Sequence, residues 1–155
     1  MQNTINHLQL LIPEITLRIS ALPDSTLQHR PAPRKWSPKE IIGHLIDSAH
    51  SNLRRFIVGQ YDIDARIIYE QDLWVQANDY QHMDRNDLIT FWRLINERII
   101  AVLENMPADK YANTINTGKT EVSLHSLEWL AADYVKHLQH HINQIFPGTY
   151  DVVYG

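Results

Sequence analysis

The sequence predicts an all-α fold, a four-helix bundle with long connections between its helices. Three observations carry this. Apolar residues recur at spacings of three and four in four segments of about 18 to 24 residues each, the signature of amphipathic helices. Glycine is scarce, at five residues, and alternating strand-like runs are nearly absent, so a period of 3.6 organises the chain. Start and stop signals bracket the segments: Ser37-Pro38-Lys39-Glu40, Asp84, Pro107 and Pro147-Gly148.

The first helix is expected over about Gln2 to Ala21, on Ile5, Leu8, Leu11, Ile12, Ile15 and Ile19. Pro13 lies inside it and predicts a kink or break near Ile12. Residues 22–35 hold three prolines and read as an extended loop without helix. Ser37 then caps a second helix, Pro38 suits its first position and Glu40 completes a capping box. Trp36 precedes the cap, placed to pack back on the first turns. This helix runs to about Gln60. Residues 61–83 have no sustained period and predict a long connection with one short helical turn near Gln71 to Ala77. Asp84 caps a third helix with Leu88, Phe91, Leu94, Ile95, Ile99, Val102 and Leu103 as its buried stripe. Residues 108–122 form a second connection, with extended structure around Thr114 to Val122. Ser123 is the expected cap of the last helix, Leu124 to Phe146, and the tail after Pro147-Gly148 packs back on the bundle or frays.

Composition bounds the function. At 155 residues the chain is expected to be one domain, residues 1–155, with an ordinary core. Hydrophobic residues at 44% and charged residues at 21% are globular proportions. A net charge of −4 and no basic block argue against nucleic acid and anionic membranes as partners. No cysteine is present, so any metal must sit on His, Asp or Glu. No signal-like or membrane-length apolar run occurs, and a soluble, cytoplasmic protein is expected.

The stretch with chemistry is DYVKHLQHHINQIF, residues 133–146. Residues four apart on a helix lie one above the other, so His137 and His141 aim at one point, on a face that continues through Leu130, Tyr134 and Ile145. Two imidazoles need a third ligand to hold a divalent transition metal. On the second helix His44, Asp47, Ser48, Ser51, Asn52 and Arg55 form a polar stripe beside the core residues Ile41, Leu45 and Phe56. His44 sits between Ile42 and Leu45 on the core side and is the expected third ligand. Three neutral imidazoles leave coordination positions open, where a metal lowers the pKa of a water or a thiol. Asp47, Asn52 and Arg55 are the candidates for supporting or substrate roles, Arg55 as a carboxylate clamp. Tyr69, Glu70, Asp72 and Trp74 could line a pocket at a bundle end, and Asp133 is expected at the surface.

HLIDSAHSNLRRF, residues 44–56, preceded by WSPKE, resembles the signature of the DinB superfamily, its YfiT-like branch above all. YEQDLWV, residues 69–75, and HLQHHINQI, residues 137–145, resemble that branch too, so the likeness runs from about Pro31 to Phe146. The resemblance implies a four-helix bundle, often a homodimer, with His44, His137 and His141 on a zinc or nickel ion and His140 off it. It implies a metal-dependent hydrolase, or an S-transferase acting on bacillithiol, mycothiol or glutathione, with a small-molecule substrate. Gly43 stands where such proteins often carry a second His, which changes the site's rim, while His50 keeps another family His. The alternative is a non-catalytic bundle that binds a small molecule or a partner helix.

Overall fold

In the computed structural model, which describes residues 1–154, the chain forms six α-helices and one small sheet. The helices are α1 (Gln2–Ser20), α2 (Asp24–Gln28), α3 (Pro38–Val58), α4 (Gln71–Asn78), α5 (Arg85–Asn105) and α6 (Leu127–Ile145). The strands are β1 (Thr114–Asn116) and β2 (Leu124–Ser126), paired antiparallel. The four long helices α1, α3, α5 and α6 make the bundle. Going round it the order is α1, α5, α3, α6, each packing on its two neighbours. α3 and α6 run antiparallel: Ser48 meets His137 while His44, earlier in α3, also meets His141, later in α6. No helix among the described residues is long and apolar enough to cross a membrane.

Helix α1 buries the six aliphatic positions the periodicity predicts, and none other. Pro13 does not break it. The proline faces solvent, so the carbonyl it leaves without a backbone donor is open to water. Helix α3 starts as predicted: Ser37 accepts from the Glu40 backbone N–H, and the Glu40 carboxylate accepts from the Ser37 N–H. Gly43 matters for packing. It lies under Tyr80, and a Cβ there would stand 2.0 Å from the Tyr80 ring.

Four expectations need correction. The segment 22–35 contains α2, five residues anchored by the buried Leu27, too short for periodicity to reveal. On α5 the buried face is Leu88, Ile89, Trp92, Ile95, Asn96, Ile99 and Leu103. Phe91 and Leu94, expected inside, are 37% and 46% exposed, and Val102 is half-buried, because Trp92 and Asn96 take the centre of the stripe. The last helix begins at Leu127, not Leu124. Leu124–Ser126 pairs with Thr114–Asn116, and Ser126, not Ser123, caps α6 by accepting from the Trp129 N–H. A hydrogen-bonded strand outbid a helix start that rested on local preference alone. Finally, Asp133 is half-buried, with the Tyr154 hydroxyl donating to its Oδ2 at 3.4 Å.

Candidate metal centre

Facing turns of α3 and α6 bring three imidazoles together. The nitrogens that His44, His137 and His141 offer all lie within 4.8 Å of one another. His44 Nε2 and His137 Nε2 are 3.2 Å apart. Two imidazole nitrogens sharing a tetrahedral zinc, at bond lengths of about 2.05 Å, stand about 3.3 Å apart. This pair is therefore already at ligand spacing. The His141 ring centroid lies 4.5 Å from each of the other two.

Burial keeps the three rings in the form that can ligate a metal. Burial pushes His44 down to about 3, helped by the neighbouring His141. Burial also holds His137 well below the ordinary range, with His141 and His44 adding to it. His141 is lowered by burial, against a hydrogen bond to Gln144 that raises it. All three are neutral near pH 7, the state a metal ligand requires. His44 is fully buried and its Nδ1 has no protein partner. His44 turns Nε2 to the cluster, so a metal would draw on that lone pair, and Nδ1 is then the N–H left without an acceptor.

Outer contacts fix two of the rings. With Nδ1 protonated, His137 donates to Ser48 Oγ at 3.3 Å and leaves Nε2 as its lone pair. His141 Nδ1 lies 3.1 Å from Gln144 Oε1, which accepts from it in the same way. Trp36, expected as a packing residue before the α3 cap, lies 5.0 Å from the His44 ring and covers that side. His140 lies outside the cluster, its ring against His141 and Tyr154 and its Nε2 near Gln144. His50 is exposed, against Phe91.

The polar stripe of α3 is buried, not solvated. His44, Asp47, Ser48, Ser51 and Asn52 are all 7% exposed or less. Asp47 Oδ1 accepts from the Tyr80 hydroxyl at 2.6 Å and from Asn78 Nδ2 at 3.2 Å, while Oδ2 has no protein partner. Burial raises its carboxyl to about 6, against the Tyr80 hydrogen bond. Asn52 donates to the Ser48 carbonyl at 3.0 Å and to Ser48 Oγ at 3.4 Å, and accepts from Arg55 Nη1 at 3.3 Å. A chain Arg55–Asn52–Ser48–His137 results. Arg55 also donates through Nε and Nη2 to the Ile67 carbonyl, at 3.2 and 3.0 Å, so much of its fork is spent on the connection after α3. Asn52 and Arg55 thus reach His137 only through Ser48, and Asp47, held by Tyr80 and Asn78, bonds to none of the three histidines.

Sequence reasoning missed three neighbours, Gln144 behind His141 among them. Ser48 was visible on the stripe, one turn after His44, but only the fold shows that it meets His137. Tyr154, from the tail, brings its ring within 5.4 Å of His137, and no pattern in the tail signals that. Of the connection 69–74, Tyr69 packs on Trp74 and is half-buried against Ser48 and Arg55, Glu70 pairs with Lys119 at the surface, and Asp72 lines a cavity that reaches His141. That cavity, about 810 Å³, is also lined by Arg34, Lys35, Trp36 and Ile41. Its size is that of a small-molecule site.

Comparison with known proteins places this architecture. The chain matches a solved structure described as "YfiT from Bacillus subtilis is a probable metal-dependent hydrolase with an unusual four-helix bundle topology", with a TM-score of 0.84 at 20% identity. The match covers 94% of this chain and 83% of that one. A mycothiol-dependent maleylpyruvate isomerase matches with a TM-score of 0.73 at 6% identity, over 98% of this chain and 62% of the other. A histidine-to-alanine mutant of such an isomerase matches with a TM-score of 0.75 at 7% identity, over 91% of this chain and 59% of that one. At these identities the likeness is one of fold. The sequence matches no curated protein. The profile of the DinB superfamily aligns with residues 8–145, nearly the whole bundle, and the chain belongs to that superfamily.

Proposed function

We propose that this one-domain chain is a metal-dependent enzyme in which His44, His137 and His141 hold a single divalent ion, zinc or nickel, for S-transfer from a thiol or for hydrolysis. The observation that carries it is the set of three neutral imidazole ligands within 4.8 Å of one another, on facing helices at the end of a small-molecule cavity. The printed descriptions of the fold neighbours, one a probable metal-dependent hydrolase and the other mycothiol-dependent, support both branches of the reading. A divalent ion bound there supplies a lowered pKa to the thiol or water that joins it.

The chain's own residues do the rest. Ser48 and Gln144 hold the His137 and His141 rings with one nitrogen of each turned to the cluster. Asn52 and Arg55 are positioning residues, since they act on His137 through Ser48. Asp47, one turn from His44 and with Oδ2 unpartnered, is the group proposed to take the proton the nucleophile gives up. Trp36 keeps water from the covered side of His44.

Elemental analysis of untagged protein, purified without a nickel column, tests the reading. About one zinc or nickel per chain is expected, lost on His44→Ala, His137→Ala or His141→Ala and kept on His140→Ala. Equal loss with His140→Ala sinks the ligand assignment. Protein that arrives metal-free and takes up no added zinc favours the non-catalytic bundle, because the cavity would then be all that is left to act.

A further inference from the structure

The cavity beside His141 carries a charge pattern at odds with the chain as a whole. The protein has a net charge of −4. Yet Arg34 and Lys35, both exposed, line the cavity next to a metal ligand, and neither side chain has an ion-pair or hydrogen-bond partner among the described residues. They are not on a loose loop end. Arg30, four residues before Arg34, donates through Nε and Nη2 to the Glu40 carboxylate at 2.8 and 2.5 Å, and Glu40 is itself part of the α3 capping box. The Lys35 backbone N–H closes a turn on the Ala32 carbonyl at 3.0 Å, and Trp36 is pinned against His44. The cations are therefore presented by a tied segment to a cavity that also reaches His141. Asp72 is the one carboxylate on the lining, opposite in sign.

We infer that this cavity is the binding site of a small organic anion, whose carboxylate or phosphate groups rest on Arg34 and Lys35, whose body lies on Trp36 and Ile41, and whose reacting end reaches His141. The inference rests on the proposed metal site and names the substrate class that site receives. The guanidinium fork of Arg34 suits an oxyanion, and Lys35 adds a mobile point charge. Two such contacts at a half-open cavity give about a tenfold preference for an anion over a neutral analogue, equivalent to about 1.4 kcal/mol.

Calorimetric titration of zinc-loaded protein tests it, with mercaptosuccinate as the anionic probe and 2-mercaptoethanol as the neutral one. Mercaptosuccinate is expected to bind about tenfold more tightly, and more weakly as salt is added. Arg34→Gln/Lys35→Gln should erase the preference and leave 2-mercaptoethanol unchanged, while Asp72→Asn should sharpen it. Inorganic phosphate that displaces mercaptosuccinate assigns the rim to phosphate-bearing anions, and failure to displace it assigns the rim to carboxylates. Equal affinity for the two thiols, no saturable mercaptosuccinate binding at millimolar concentration, or binding indifferent to Arg34→Gln/Lys35→Gln each overturns the inference. Cobalt-loaded protein separates this from the function proposed above, since a thiolate on cobalt gives an intense near-ultraviolet band. Rim-dependent binding without that band keeps the anion site and removes thiol activation.

Discussion

Helices α1 and α3 are nearly equal in length, at 19 and 21 residues, and do opposite work. Helix α1 buries six residues, all aliphatic, in one stripe. Helix α3 buries fourteen, and seven of them are polar or charged: Lys39, Glu40, His44, Asp47, Ser48, Ser51 and Asn52. The reason is position. Helix α1 lies against two helices and shows its other side to water, whereas α3 meets α5 and α6 and is also covered by α2 and α4. A helix walled in on all sides must either be apolar throughout or give each polar group a partner. Helix α3 takes the second course almost completely: Lys39 Nζ bonds the Met83 carbonyl, Glu40 bonds Arg30, and Ser48 and Asn52 bond each other. The exceptions are His44 Nδ1, Asp47 Oδ2 and Ser51 Oγ, and two of those three residues belong to the proposed site. The bundle is stabilised by helices like α1, and that stability carries the polar interior of α3.

The largest expected effect separates the two helices. Ile15 is fully buried on α1, and Ile15→Ala should lower stability by about 3 kcal/mol in urea unfolding while the metal content stays at its wild-type value. A loss of metal with this variant would show that the halves of the bundle are coupled and end the comparison.

Acid should act on α3 and α6 and leave α1 untouched. The His44 ring, at about 3 in the folded protein, is protonated at 6.5 when unfolded, so the unfolded chain takes up the proton first. Its contribution is complete above pH 6.5 and is lost as pH falls toward 3. From pH 7 to pH 5 the metal-free protein should lose about 2 kcal/mol through His44 alone. His137 and His141, also lowered, add to that loss. Asp47 opposes it. Its carboxyl, raised to about 6 from 3.8, favours the unfolded state as pH rises through that window and gives stability back on acidification. Asp133, raised by burial as well, acts in the same direction as Asp47. Three histidines outweigh the two aspartates, and Asp47→Asn should steepen the acid loss. Urea midpoints at the two pH values read both, and a protein more stable at pH 5 would mean that the histidines are already charged.

The smallest effect sharpens the comparison within α3 itself. Ser48→Ala removes the acceptor of His137 Nδ1 and should weaken zinc binding about tenfold, a change of about 1.4 kcal/mol, in a chelator competition. Unchanged affinity would show that the ring is held by packing alone.

Much of this was readable in the chain. The α1 stripe, the α3 capping box and the turn of helix at 71–78 follow from local rules, because caps and periodicity act within a few residues. Helix α2, the β1–β2 pair and the shift of the α6 start to Leu127 did not, since a five-residue helix carries no period and strand pairing is a contact between distant residues. Phe91 and Leu94 went wrong for a related reason. Apolar residues flank the buried α5 stripe on one side, and only the packing of α3 and α1 decides which of them faces in.

For the candidate site, spacing along the chain already puts His137 and His141 on one helical face, because a fixed rise and rotation per residue set that geometry. Membership of the DinB superfamily was legible in the same stretches. The tertiary structure decided the rest. It turned α3 so that His44 Nε2 stands 3.2 Å from His137 Nε2, set Ser48 behind one ring and Trp36 over another, and opened a basic-rimmed cavity at His141. No local rule contains these, because each is a distance between elements whose relative placement is fixed by burying the apolar faces of all four long helices at once.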